Sequence, residues 1–290
     1  MAAFVYYITL PVLYFISLLP FRLLYIVSDF LYIFLYRILL YRTKVVNENL
    51  RKSFPEKSEE EIRSIQNRFY HFLFDLILES FKTLTISPKS LLERVKMDDG
   101  GIFKKFYEMN QSIIIAMGHL GNWELGGARF SQEKYHQLYV IYHPLKNEYF
   151  NDLTVKMRTR LGNGLYSMNE TLRGMLKNKD KITATAFIAD QTPSPKGAYW
   201  TTFLNQSTPV FTGLAKIAKK LDYPIIYVSV KRQSRGFYIL QSELLIEHPA
   251  LLNEDEISEM YTKRLEKDIM ECPEIWLWSH RRWKHKKPNE

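Results

Sequence analysis

Cysteine is almost absent from this chain. Cys272 is the only one in 290 residues, which excludes an intrachain disulfide framework and a cysteine-rich zinc site and suits a reducing compartment. No H-E-x-x-H occurs and the 7 histidines are scattered, so a zinc hydrolase has no ligand set here. There is no G-x-S-x-G elbow, and Cys272 sits near a helix end in "ECPEIW". A covalent enzyme intermediate therefore lacks an obvious nucleophile. The absence of a Walker loop and of G-x-G-x-x-G argues against nucleotide hydrolysis and dinucleotide redox work. No internal repeat, low-complexity tract or long flexible linker interrupts the chain. Residues 1–21 carry no charged side chain at all.

Hydrophobic residues make up 46% and charged residues 24%, enough apolar material for a sizeable core. Aromatics reach 14%, and rings with a polar edge suit a membrane–water boundary as well as a core. The net charge of +9 implies partners of negative charge: nucleic acid, anionic lipid, a phosphorylated substrate or an acidic protein.

The uncharged opening, "MAAFVYYITLPVLYFISLLPF", would be about 31 Å long as one helix, close to the thickness of the bilayer hydrocarbon. Pro11 and Pro20 weaken that signal, but membrane helices tolerate proline. No basic segment precedes the stretch and no small-residue cleavage site follows it, which argues against a removed signal peptide. The next apolar stretch contains Asp29 and Arg37 and reads as interfacial or as a second helix packed on the protein. Arg37, Arg42, Lys44, Arg51 and Lys52 follow, which places the bulk of the chain on the cytoplasmic side. The expectation is a membrane anchor with an interfacial helix over 1–41 and a catalytic-sized domain over 42–290.

Ser58 is a candidate N-cap followed by acids. Ile62, Ile65, Phe69, Phe72, Leu73, Leu76, Ile77 and Phe81 then recur three and four apart, which predicts an amphipathic helix. From residue 100 the pattern alternates. Ile102–Met109 is expected to be helical and Ile113–Met117 a strand. Further strands are expected at 137–143, 182–190, 223–232 and 237–247, and helices at 147–162, 211–221 and from Asn253 onward. Strands alternating with helices predict an α/β fold, a mixed sheet flanked by helices, with ligand sites where strand ends meet loops.

One such junction is "SIIIAMGHLGNWELGG", residues 112–127. An apolar run ends at Gly118, and His119 is followed five residues later by Glu124. On one continuous helix their side chains would diverge by about 140°. The spacing therefore works best with His119 in a turn and the chain reversing at Gly118 and Gly121. There a carboxylate could hold one imidazole nitrogen while the other faces substrate, which makes a general base with an orienting partner. The amides of the helix start would also favour an anion. The bland reading is a strand end with a satisfied histidine.

"GHLGNWELGG" resembles the H-x-x-x-x-[D/E] block of the late acyltransferases of lipid A biosynthesis, relatives of the glycerolipid acyltransferases. The likeness continues in "VIYHPLKNEYFN", "RTRLGN", "IADQTP" and "CPEIWLWSHRRWK", in the expected order along nearly the whole chain. The resemblance implies a glycerolipid-acyltransferase-like fold. It implies transfer of a fatty acyl group from an acyl carrier protein thioester to a hydroxyl of a lipid A precursor at the bacterial inner membrane, without a cofactor or metal. Carried over, His119 would be the base and Glu124 its partner. Arg158 would hold the substrate phosphate or the developing oxyanion, with Arg160 the near alternative, and Asp190 would be a second acidic site residue. Gly118 and Asn122, in the same turn, complete the substrate-facing candidates, although Asn122 and Trp123 read first as shaping the turn.

Read without the resemblance, Arg158 and Arg160 are a solvated basic helix face and Asp190 an acid in a strand-end turn. "SHRRWKHKKP" invites a nucleic-acid reading, but an acidic carrier protein or anionic headgroups explain the charge of an anchored protein better. The alternatives are an acyltransferase for a lysophospholipid or aminolipid, and a membrane lipid-binding module without turnover.

Overall fold

The structure, a computed structural model, describes residues 2–287. The uncharged opening folds as helix α1 (Ala2–Leu18) and stops before Pro20, since a residue preceding proline is pushed out of the helical region. Pro20 then leads into α2 (Phe21–Leu31), which passes into a π-helical segment, Tyr32–Ile38. The 17 residues of α1 reach about 26 Å. Among the described residues no single helix is long and apolar enough to cross a membrane, and the one adjacent pair that passes together, Phe21–Ile38 with Thr43–Ser53, is bent by 86°. The helix expected over 1–21 is thus shorter than expected, ending at Leu18, and a second helix begins at Phe21.

After α3 (Thr43–Ser53) comes α4 (Glu59–Lys82), whose Ser58 and Glu61 form a reciprocal capping box, two orphan amides being satisfied at once. Ile62, Ile65, Phe69, Phe72, Leu73 and Leu76 are buried as the periodicity predicts, whereas Ile77 is exposed. Helix α4 is the hub of the helical layer: α1, α2 and α3 all pack on it. Its Lys82 donates to the carbonyls of Ser17 (2.6 Å) and Leu19 (2.8 Å), satisfying the unpaired end of α1.

The remaining elements in chain order are α5 (Pro88–Arg94), β1 (Val95–Asp98), α6 (Ile102–Glu108), β2 (Ile113–Met117), α7 (Trp123–Phe130), β3 (Gln137–Tyr142), α8 (Glu148–Thr159), β4 (Gly164–Ser167), α9 (Thr171–Lys177), β5 (Thr183–Ile188), β6 (Tyr199–Phe203), β7 (Gln206–Val210), α10 (Gly213–Leu221), β8 (Ile225–Ser234), β9 (Phe237–Ile246) and α11 (Glu254–Glu271). Seven strands form one mixed sheet in the order β1-β9-β8-β2-β5-β3-β4, and β6 and β7 make a separate hairpin. Strands β8, β2, β5, β3 and β4 run parallel, and β9 reverses against β8.

The apolar run 113–117 becomes the central strand β2, buried along its whole length, as a strand covered on both faces must be. Its register sets Met117 opposite Ile188 of β5. Two residues further along each chain stand His119 and Asp190, so the C-terminal ends of β2 and β5 deliver both side chains to one point. The expected strands and helices all form, with ends shifted by up to three residues, the largest shift being at the end of α8, which stops at Thr159 rather than 162. Strands β1 and β4 are only four residues long and, like the β6–β7 hairpin, stood outside the expectation.

Candidate active site

Asp190 is buried and holds His119 twice. Its Oδ1 lies 2.5 Å from His119 Nδ1, and its Oδ2 accepts the His119 backbone N–H at 2.8 Å. Trp276 Nε1 donates to the same Oδ2 at 2.8 Å. Burial works against this charge, but His119 and the hydrogen bonds from its ring, its backbone and Trp276 outweigh it and hold the carboxyl down to about 2. An ionised Asp190 accepts only, so the network assigns the neutral ring's proton to Nδ1 and leaves Nε2 with a lone pair. Nε2 lies 3.3 Å from Gln191 Nε2, and His119 and Gln191 both line a cavity. Trp123 packs edge-to-face on the imidazole, with ring centres 4.8 Å apart.

Glu124 is not the partner of His119. Its carboxylate is clamped by Arg158, with Nη2 to Oε1 at 2.5 Å and Nε to Oε2 at 3.1 Å, a bidentate geometry suited to a guanidinium. Burial would lower the Arg158 pKa, but Glu124 more than compensates and raises it. The spacing between His119 and Glu124 is a consequence of the turn: Asn122 caps α7 by accepting from Leu125 N at 3.0 Å, and Glu124, in the helix's first turn, faces α8 rather than the histidine loop. Both members of the pair line the cavity beside His119.

Three other candidates stand elsewhere. Arg160 donates from Nε to Thr83 O at 2.5 Å and from Nη2 to Ile86 O; it ties down the C-terminal end of α4 and is not at the cavity. Asn122 is fully buried, its Nδ2 bound to Glu79 Oε2 at 2.8 Å, so it shapes the turn and meets no substrate. Gly118 is a packing position: a Cβ there would come 2.6 Å from Leu265 Cδ1 and 3.2 Å from Asp190 Oδ2. The reversal is made at Gly121 alone, where φ is +65° and a Cβ would lie 1.7 Å from Val230 O, a backbone and a contact only glycine tolerates.

The cavity measures about 330 Å³, within the range of about 300–1,000 Å³ common for small-molecule sites. From His119 it runs between α7 and the sheet, past Gly126 and Val230, towards Phe130 and Leu138. Its walls are chiefly aliphatic, and the polar side chains in them include His119, Glu124, Arg158 and Gln191. Near the opening Leu145, Tyr149 and Met168 are exposed, and Tyr149 and Phe150 pack on Tyr6 of α1. Phe4, Ile8 and Phe15 of that helix are exposed as well, so α1 carries an apolar outer side and packs on α8, the helix that contributes Thr154 and Arg158 to the cavity wall.

The C-terminal block supports the site from behind. Leu120 pairs with Trp276, Gly121 N donates to Ile275 O at 2.9 Å, and Leu277 N donates to His119 O at 3.2 Å. His280 Nε2 accepts from Thr192 N at 3.3 Å. Arg282 is buried and donates to Pro209 O. The expected basic tail is therefore structural through Trp283, and only Arg281, Lys284, Lys286 and Lys287 are exposed. Trp276, Gln191 and His280 were not singled out from sequence; their signals were the ordered blocks "CPEIWLWSH" for Trp276 and His280 and "IADQTP" for Gln191.

A buried acid–histidine pair thus stands at the parallel strand ends beside an aliphatic cavity, an arrangement chemically suited to acid–base work on an apolar substrate. The chain belongs to the bacterial lipid A biosynthesis acyltransferase family, whose profile matches residues 1–285. It is 22% identical over 246 residues to the lipid A biosynthesis palmitoleoyltransferase of Escherichia coli (strain K12), covering 84% of this chain and 79% of the relative. Against the lipid A biosynthesis lauroyltransferase of the same organism it is 22% identical over 278 residues, 94% of this chain and 89% of the relative.

Proposed function

We propose that this acyltransferase moves a fatty acyl group from an acyl carrier protein thioester to a hydroxyl of a lipid A precursor, with His119 as general base. The carrying observation is the Asp190–His119 pair, with His119 in the wall of the aliphatic cavity. The cavity takes the acyl chain, which brings the thioester carbonyl to the His119 end. His119 Nε2 removes the acceptor's proton while the hydroxyl oxygen attacks that carbonyl. Asp190 stabilises the imidazolium that results. The tetrahedral intermediate collapses, the C–S bond breaks, and His119 returns the proton to the departing thiolate. Arg158 has Nη1 without a hydrogen-bond partner among the described residues; Glu124 holds the guanidinium so that this nitrogen can meet the oxyanion or an acceptor phosphate.

Placing two substrates accounts for about 7–11 kcal/mol of barrier reduction, and proton removal for a further 10²–10⁴-fold, roughly. No step passes through an acyl-enzyme. The reading extends to location. Helices α1 and α2 lay their exposed apolar side chains on the bacterial inner membrane from the cytoplasmic side, so that the cavity rim meets lipid. Residues 1–41 then serve as the membrane-seated part and 42–290 as the transferase. The exposed Lys and Arg near the C-terminus suit an acidic carrier protein or anionic headgroups.

The test is an acyl-transfer assay read by mass spectrometry. Wild type and His119→Ala, both shown to be folded, receive acyl carrier protein thioesters with a mixture of lipid A precursor and lysophospholipid. Acylated lipid A precursor from wild type alone supports the proposal. Acylation of lysophospholipid instead, equal product from both proteins, or no product at all overturns it.

A further inference from the structure

Glu79 of α4 is completely buried and does not line the cavity. It accepts three hydrogen bonds from three separate parts of the fold: Tyr25 Oη of α2 at 2.8 Å on Oε1, and Tyr238 Oη of β9 at 2.7 Å and Asn122 Nδ2 at 2.8 Å on Oε2. A carboxyl group is costly to place in such a position, and the proposed chemistry leaves it without a task.

The contact with Asn122 has a definite consequence. A side-chain amide has a donating end and an accepting end, and packing alone does not choose between them. With Nδ2 committed to Glu79 Oε2, Oδ1 must face the other way, where it accepts from Leu125 N at 3.0 Å and caps α7. That first turn carries Trp123, which packs on His119, and Glu124, which clamps Arg158. Glu79 thereby sets the orientation of the amide that starts the catalytic helix.

The other end of the link reaches the helix pair on the apolar surface. Tyr25 lies on α2 beside the exposed Ile26 and is held by Arg235, whose guanidinium lies 4.5 Å from its ring centre. Arg235 also bridges Asp29 of α2 and Asp75 of α4, with 2.6 Å and 2.7 Å contacts. A displacement of α2 is thus carried to Glu79 Oε1 by a hydrogen bond, and from Oε2 to Asn122.

We infer that Glu79 is a positioning residue that couples the seating of α2 to the geometry of the catalytic turn through Asn122. The inference rests on the acyltransferase reading of the site. The full-length protein in phospholipid vesicles is assayed as wild type, Glu79→Gln, Glu79→Met and Tyr25→Phe, with kcat and KM for donor and acceptor expressed per folded molecule. Glutamine can accept from Asn122 and Tyr238 on its oxygen and donate to Tyr25 Oη from its nitrogen. Glu79→Gln should therefore stay within about threefold of wild type, whereas Glu79→Met, similar in length but without an acceptor, should lower kcat about tenfold or more with KM nearly unchanged. Tyr25→Phe, which removes one hydroxyl far from the cavity, should lower kcat about two- to fivefold. A folded Glu79→Met protein with wild-type kcat, an equal loss in Glu79→Gln, or wild-type kcat in Tyr25→Phe would each overturn the coupling. If Glu79→Met does not fold, the Tyr25→Phe comparison decides. An inactive wild type would instead remove the acyltransferase reading itself.

Discussion

Asp190 binds His119 through both the ring and the backbone, at 2.5 Å to Nδ1 and 2.8 Å to the N–H. One carboxylate thus fixes both the His119 loop and the tautomer of its ring. Either bond alone would leave a freedom: the backbone contact does not choose the ring proton, and the ring contact does not hold the loop.

Asp190→Asn should therefore act on chemistry more than on binding. An asparagine can turn its amide N–H towards Nδ1, which moves the imidazole proton to Nε2 and removes the lone pair facing substrate. Wrong-tautomer variants of acid–histidine pairs lose about 10⁴-fold in kcat, and a loss of that order is expected here in initial-rate assays of the folded variant. A KM increase with unchanged kcat would contradict the assigned role.

Arg158→Lys tests the clamp. A lysine keeps the charge but presents a single point of contact, so it cannot hold both Glu124 oxygens and also offer a directed N–H to substrate. If Arg158 supplies one transition-state hydrogen bond, kcat should fall about 10²–10³-fold. Thermal unfolding should shift far less than it does in Glu124→Ala, where the Arg158 charge is left half-buried without a partner.

The parts of the fold legible in the sequence were those that declare themselves locally. The run 113–117 and the capped, periodic α4 could be placed because burial on both faces, or on one face, writes a pattern into consecutive residues. His119 was legible because a glycine-bounded turn at a strand end is a local feature. Its partner was not. The pairing with Asp190 follows from the parallel register of β2 and β5, in which Met117 faces Ile188, and a register between strands some 70 residues apart leaves no mark in either stretch. Glu124, close in sequence, was the natural choice, and Arg158 claims it from α8. Arg160 stood as the near alternative to Arg158, but two residues on a helix point about 200° apart, one to the cavity and one to the end of α4. The break of the apolar opening at Pro20 was visible as a proline, but its effect depended on Lys82, 62 residues later, being available to satisfy the end of α1.

His280 makes stability depend on pH. Burial, against the pull of Asp190 and with the push of Arg282 and His119, lowers its pKa from 6.5 to about 4. Its Nε2 accepts from Thr192 N, which a protonated ring cannot do. Between pH 6.5 and 4 the unfolded chain binds the proton and the folded chain resists it, so the His280 contribution is complete above pH 6.5 and is lost as pH falls through that window. Thermal melts followed by circular dichroism from pH 7.5 to 4 should show a falling midpoint. His280→Gln, which can still accept from Thr192, should flatten part of that slope; an identical slope would exclude His280 as its source.

Trp276→Phe isolates the third hydrogen bond to Asp190. Phenylalanine keeps most of the packing against Phe203 and Trp278 but removes the Nε1–H that meets Oδ2 at 2.8 Å. A hydrogen bond to a charged group contributes about 1.5–3 kcal/mol, and that is the expected loss of stability at neutral pH. The sign at low pH follows from the direction of the shift. The folded carboxyl sits at about 2 against an ordinary 3.8, so its contribution is present above pH 3.8 and disappears as pH falls through 2. Without the tryptophan N–H the folded pKa rises and the window narrows from its acid side, so the Asp190 contribution is smaller and its loss is complete at a higher pH. Urea titrations of both proteins between pH 7 and 2 measure this directly. The stability difference should be constant down to about pH 4 and shrink below it, and a difference that does not change with pH would mean that Trp276 acts through packing rather than through Asp190.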